Sequence, residues 1–149
     1  MALAITTVTD SISKLSVTGL TIKDIDEIPY TVADRDCPIM YPEPLNFITD
    51  IDPQPVSFGT GGSGYHDVTY RIHYTFLYRA VGADRGSLTN YSGFVQLYED
   101  VIDKMLDSNQ LTGAVDVRPV GNLAFGVVMD PAGNKFIGAE LQFAVLDFE

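Results

Sequence analysis

Asp67-Val68-Thr69-Tyr70-Arg71-Ile72-His73-Tyr74-Thr75-Phe76-Leu77-Tyr78-Arg79 is the stretch on which the fold turns. Its apolar residues fall on even positions and its polar residues on odd ones, the period of a strand with one buried face. Leu77 alone breaks the polar series. The run therefore predicts one long strand whose second face is wet or meets a partner.

Downstream, a turn through Gly82 to Gly86 leads to a helix over residues 88–108. Leu88, Tyr91, Val95, Tyr98, Ile102 and Met105 recur at steps of three and four, and Phe94, Val101 and Leu106 widen the stripe to a core-facing breadth. Ser87 or Thr89 supplies a cap at its start. After the helix the pattern returns to strands. Val115 and Val117 form a short one that Pro119 confines to an edge or a strand end. Residues 123–129 and 136–148 form two more, and Asp130-Pro131-Ala132-Gly133-Asn134-Lys135 between them predicts a hairpin turn.

Upstream, Ser57-Phe58-Gly59-Thr60-Gly61-Gly62-Ser63-Gly64 is the most flexible composition in the chain. Before it, residues 29–55 hold six of the eight prolines, a density that forbids a long helix or a central strand. Interspersed Ile39, Met40, Tyr41, Leu45, Phe47 and Ile48 exclude a solvated linker, so the stretch reads as an extended arm wrapping the core. Residues 21–26 alternate as a short strand. Residues 6–20 read as a helix, with Ile5, Val8, Ile12 and Leu15 on one face and Gly19 as its closing glycine. The order is α+β: an antiparallel sheet of about four strands packed with two helices, plus the Pro-rich arm, within a single domain over 1–149.

Composition sets the outer bounds. A chain of 149 residues with 46% hydrophobic residues is sized for one core, and it needs no disulfide or metal staple to hold it. Nine basic against twenty acidic residues give a net charge of −11, which argues against a phosphate-gripping nucleic-acid reader. Cys37 is the only cysteine, so an intrachain disulfide and a Cys-built zinc site are excluded, and a reducing cytosol is the expected setting. The amino-terminal residues lack the basic and apolar regions of a secretory signal, and no apolar run approaches the ~20 residues of a membrane span. The expectation is a soluble, cytoplasmic protein.

Catalytic patterns are weak throughout. His66 and His73 lie seven apart in or beside the long strand, on opposite faces, and read as ordinary strand residues. Cys37 sits in Asp34-Arg35-Asp36-Cys37-Pro38, where excess negative charge opposes a reactive thiolate. Asp50-Ile51-Asp52 and Asp24-Ile25-Asp26-Glu27 offer paired carboxylates without a nearby catalytic lysine, and solvated loop acids are the simpler reading. Gly59, Thr60, Gly61, Gly62 and Gly64 lack the Gly-Lys-Ser/Thr ending and are followed by a strand, so they do not cradle phosphate. Glu99, Asp100, Asp103 and Asp107 crowd one side of the main helix, with only Lys104 to offset them. That side is either a solvated face or an acidic surface kept for a basic partner or a DNA-repelling lumen.

The amino-terminal helix, the strand at 21–29, Cys37-Pro38-Ile39-Met40-Tyr41-Pro42-Glu43-Pro44, the alternating strand, the long helix and the closing hairpin follow one another in an order that resembles the tail terminator (tail completion) proteins of long-tailed bacteriophages. Asp36-Cys37-Pro38 with Tyr41-Pro42-Glu43-Pro44 is the most family-like stretch. The resemblance implies a small α+β domain that assembles as a hexameric ring in the virion neck after synthesis in the host cytoplasm. Such a ring caps the tail tube, stops its polymerisation and offers a docking surface to the head. It further implies partners in the tail tube protein and a head-completion or neck protein, passage of DNA without specific binding, and no enzyme activity, cofactor or metal. Gly59, Thr60, Gly61, Gly62 and Gly64, with Pro131, Gly133, Asn134 and Lys135, are then the expected contacts with neighbouring subunits or the tube. The alternatives are another neck component, such as a head completion, stopper or connector protein, and a small metal-dependent enzyme built on Asp50, Asp52 and His66.

Overall fold

The structure, a computed structural model, describes residues 5–44, 47–55, 66–81, 91–107 and 115–148. The order is α1 (Ile5–Ser13), β1 (Thr21–Ile22), β2 (Ile39–Pro42), β3 (Ile48–Pro55), β4 (His66–Ala80), α2 (Tyr91–Asp107), β5 (Val115–Met129) and β6 (Lys135–Phe148), with single 3₁₀ turns at Ile25–Glu27 and Asp34–Asp36. The α+β class stands. The sheet has six strands instead of about four, and it is mixed, because β1 pairs parallel to β2 while the other pairs are antiparallel.

The alternating stretch is β4, and its neighbours explain its length. One edge runs against β6 from Asp67 opposite Phe148 to Ala80 opposite Phe136. The other edge is shared. β2 pairs with Tyr74–Leu77, and β3 pairs with residues 66–72. Between them His73 accepts from the Glu43 amide at 2.9 Å and donates to the Phe47 carbonyl at 2.8 Å. The Pro-rich stretch is thus built into the sheet. Pro53 and Pro55 lie in β3, which pairs on one side with β4, and Pro42 lies at the end of β2 beyond the two residues that pair with β1, places where a missing N–H is tolerated.

Even-numbered Tyr70, Ile72, Tyr74 and Phe76 are buried beneath the two helices. Phe94 of α2 stands edge-on to Phe76 at 5.8 Å and tilted against Tyr78 at 5.7 Å. Burial of such a ring contributes roughly 1.5–3 kcal/mol. Leu97, Val101 and Met105 continue the buried line, whereas Leu106, expected on the core face, is 55% exposed. One hundred degrees per residue places Leu106 beside the acidic positions, and Leu97, absent from the expected stripe, takes the inward place. Leu77, the exception in the polar series, has its own reason. It packs on the opposite face with Val32, Ile39, Tyr41, Val128 and Phe136, a second cluster.

Several boundaries differ from expectation. Helix α1 stops at Ser13, whose hydroxyl donates to the Asp10 carbonyl at 2.6 Å and competes for the helical ladder. Gly19, with φ 83°, belongs to a later turn and does not close the helix. The strand expected at 21–26 lasts two residues, because Asp24 and Glu27 form a reciprocal cap on the following 3₁₀ turn. Residues 115–129 form one strand where two were expected. It passes Pro119 through register shifts at Pro119/Gly121 and Asn122/Ala124, as edge strands do. The turn at 82–86 and the caps Ser87 and Thr89 lie outside the described residues.

Candidate interaction surfaces

The hairpin joining β5 to β6 is fixed by an aspartate. The Asp130 amide donates to the Asn134 carbonyl at 3.0 Å and the Gly133 amide to the Asp130 carbonyl at 3.0 Å, with Gly133 at φ 93°. The Asp130 carboxylate is buried, and it accepts from the Asn134 amide at 2.8 Å, the Asn134 side chain at 2.9 Å and the Val32 amide at 3.0 Å. Burial pushes its pKa up, but the hydrogen bonds from Val32, Asn134 and Ala132 outweigh burial and hold it below the ordinary 3.8. The expected contact residues are thereby displayed: Gly133, Asn134 and Lys135 are exposed, and Pro131 is half-buried. Next to them Val127 and Met129 are 61% and 56% exposed, on the face opposite buried Val128.

Glu99, Asp100, Asp103 and Asp107 are exposed along the outer side of α2, as their spacing requires. Among the described residues none of the four has a cationic partner; Asp100 accepts only a long contact from Gln96 at 3.4 Å. The hairpin and the helix therefore present two unlike surfaces, one apolar with a lysine and one acidic around Leu106. Gly59, Thr60, Gly61, Gly62 and Gly64 lie outside the described residues.

A third feature was not foreseen. A groove of about 440 Å³ separates the hairpin from the start of the Pro-rich connection, lined by Glu43, His73, Val128, Asp130, Pro131 and Glu140 among others. Thr49 Oγ1 and His73 Nε2 lie 2.8 Å apart, and the Thr75 hydroxyl donates to Glu43 at 2.6 Å. His73 and Thr75 sit on the odd-numbered face of β4, as the alternation requires, but they are buried, so here this face is covered by the chain itself and not wet as expected. Glu43 directly follows β2 and Glu140 lies in β6, and only the register brings them near.

The remaining candidates have local explanations. Asp24 and Glu27 are committed to the 3₁₀ cap. The Cys37 thiol is half-buried and faces the Ala33 carbonyl at 3.8 Å. The backbone register sets Asp52 opposite Thr69 and Pro55 opposite His66, while the side chains of Asp50, Asp52 and His66 lie outside the described part. Among the described residues, no group of three or more His, Cys, Asp or Glu is placed to hold a metal ion. No described helix is long and apolar enough to cross a membrane. No protein-family model matches the chain, and no curated protein sequence matches it.

Proposed function

We propose that this chain is a ring-forming virion protein of the phage tail terminator type, which caps the tail tube, stops its growth and presents a docking surface to the head. The observation that carries the reading is the order of elements. A short amino-terminal helix, a short strand, a Pro-rich segment, a long helix and a closing hairpin follow one another in the chain, and this order supports the reading. In this reading the work is done by shape and charge, and the chain is not an enzyme and carries no cofactor. Its partners are its own copies, most simply six, with the tube protein on one side and a head-completion protein on the other. Six copies at −11 carry −66, so an acidic lumen repels passing DNA instead of retaining it.

Light scattering behind size exclusion, with salt varied to screen subunit repulsion, tests assembly. A species near six times 16.3 kDa, seen as rings by electron microscopy, is the expected result. Purified chain added to polymerising tail tubes should shorten them and mark one end. A chain that neither forms rings nor alters tube length at any salt concentration overturns the reading.

A further inference from the structure

The outer edge of β5 has no strand partner among the described residues. Its first half is guarded, since Pro119 and two register shifts interrupt the row of amides and carbonyls. Its second half, Ala124-Phe125-Gly126-Val127-Val128-Met129, carries no charge and no proline, and it shows Val127 and Met129 to solvent. Bare edges in native proteins are paired, charged or covered by another element. Lys135, opposite Met129 in the ladder, is exposed and makes no ion pair among the described residues. An occupant of this end should therefore bring one apolar side chain and negative charge.

The same chain carries such a surface. On the outer side of α2, Leu106 is 55% exposed between Asp103 and Asp107, and neither acid has a cationic partner among the described residues. We infer that copies of this chain associate head to tail, the β5–β6 hairpin end of one, with Val127, Met129 and Lys135, seating on the outer face of α2, with Asp103, Leu106 and Asp107, of the next. The contact rests on the ring reading and specifies how the ring closes. Two unlike patches per subunit generate a closed ring or a filament, never a self-limited pair. The pairing also sets the lysine against acids in a chain whose copies otherwise repel one another at −11 each.

The test is complementation between two defective variants, each altered at an exposed position. Val127→Glu destroys the hairpin patch and Leu106→Glu the helix patch, with circular dichroism and thermal melts used to verify that both fold. Each variant alone should run as a monomer near 16.3 kDa, and an equimolar mixture should give a species of two subunits, because one intact contact remains. Lys135→Glu should weaken association about fivefold, and Asp107→Lys in the partner should restore it. Failure of the mixture to pair, or assembly of either variant alone, overturns the contact. Monomeric wild type at every concentration and salt overturns it as well, and assigns the hairpin end to a different chain. Rings that form as described but leave tube growth unchanged refute the tail function and leave the contact standing.

Discussion

Asp130 and Val32, 98 residues apart, are joined by a 3.0 Å hydrogen bond from the Val32 amide to the buried carboxylate. The bond ties the segment before β2 to the hairpin beside the second apolar cluster. Asp130→Ala leaves the Val32 amide without its acceptor and releases the turn, so a loss of about 1.5–3 kcal/mol is expected in urea unfolding. The pH dependence has a definite sign. A carboxyl held below 3.8 when folded stabilises fully above that value, and its share is lost as the pH falls through the lowered folded-state value. The stability gap between wild type and Asp130→Asn should therefore be constant above pH 5 and close in stronger acid. A gap that widens on acidification contradicts this assignment.

Gly138 of β6 lies opposite Leu77 of β4 with no room for a side chain. A Cβ there would fall on the Phe76 carbonyl oxygen and press on Val128, and backbone yields poorly. Gly138→Ala should cost about 1–3 kcal/mol. Gly93→Ala meets only the tip of the Tyr78 side chain and should cost less. Paired thermal melts read the order directly; equal losses would remove the steric argument.

Tyr41 and Tyr74 bury hydroxyls that have no hydrogen-bond partner among the described residues. Burial first, then nearby carboxylates, pushes both phenols far above their ordinary 10.0. Their contribution to stability is complete below that value and is lost as the pH rises beyond it. Absorbance titration should show two tyrosines that ionise only with alkaline unfolding. Tyr74→Phe, which removes an unsatisfied polar group and keeps the ring against Phe143 at 5.5 Å, should be neutral or stabilising. Tyr74→Ala should cost about 3–5 kcal/mol, as aromatic truncations do.

Leu77→Ala should cost about 2–5 kcal/mol by opening a cavity in the cluster with Val32, Tyr41 and Phe136. Truncating exposed Leu106 to Ala should leave the monomer's stability within about 0.5 kcal/mol. Chemical denaturation of the two variants side by side separates core from surface leucines.

The parts of the fold legible in the sequence are those whose signal is periodic and local. The Tyr70–Phe76 alternation, the acidic side of α2 and the Pro131–Gly133 turn were all written in consecutive residues. Leu77 stands out in the sequence as the break in the polar series, but its reason lies in Val32 and Phe136, which no local pattern joins to it. The strands β2 and β3 are hidden by their prolines: β3 pairs on one side only, and in β2 the proline follows the two residues, Ile39 and Met40, that pair with β1. Pro119 acts in the same way, since its place in the sequence suggests a strand end where the strand continues through two register shifts. The groove was the least legible feature. Glu43, His73 and Glu140 are separated by long stretches of sequence and meet only through the β4 register.

The division of one β4 edge between β2 and β3 has a consequence for biosynthesis. The described strands in the first 55 residues all attach, directly or through β2, to a strand that begins at His66. A nascent chain emerging from the ribosome therefore offers α1 and its apolar Pro-rich stretch before any template exists, and β4 itself must still await β6. Folding is postponed until β6 has been made, and until then Ile39, Met40 and Tyr41 stay uncovered, a natural point of engagement for chaperones.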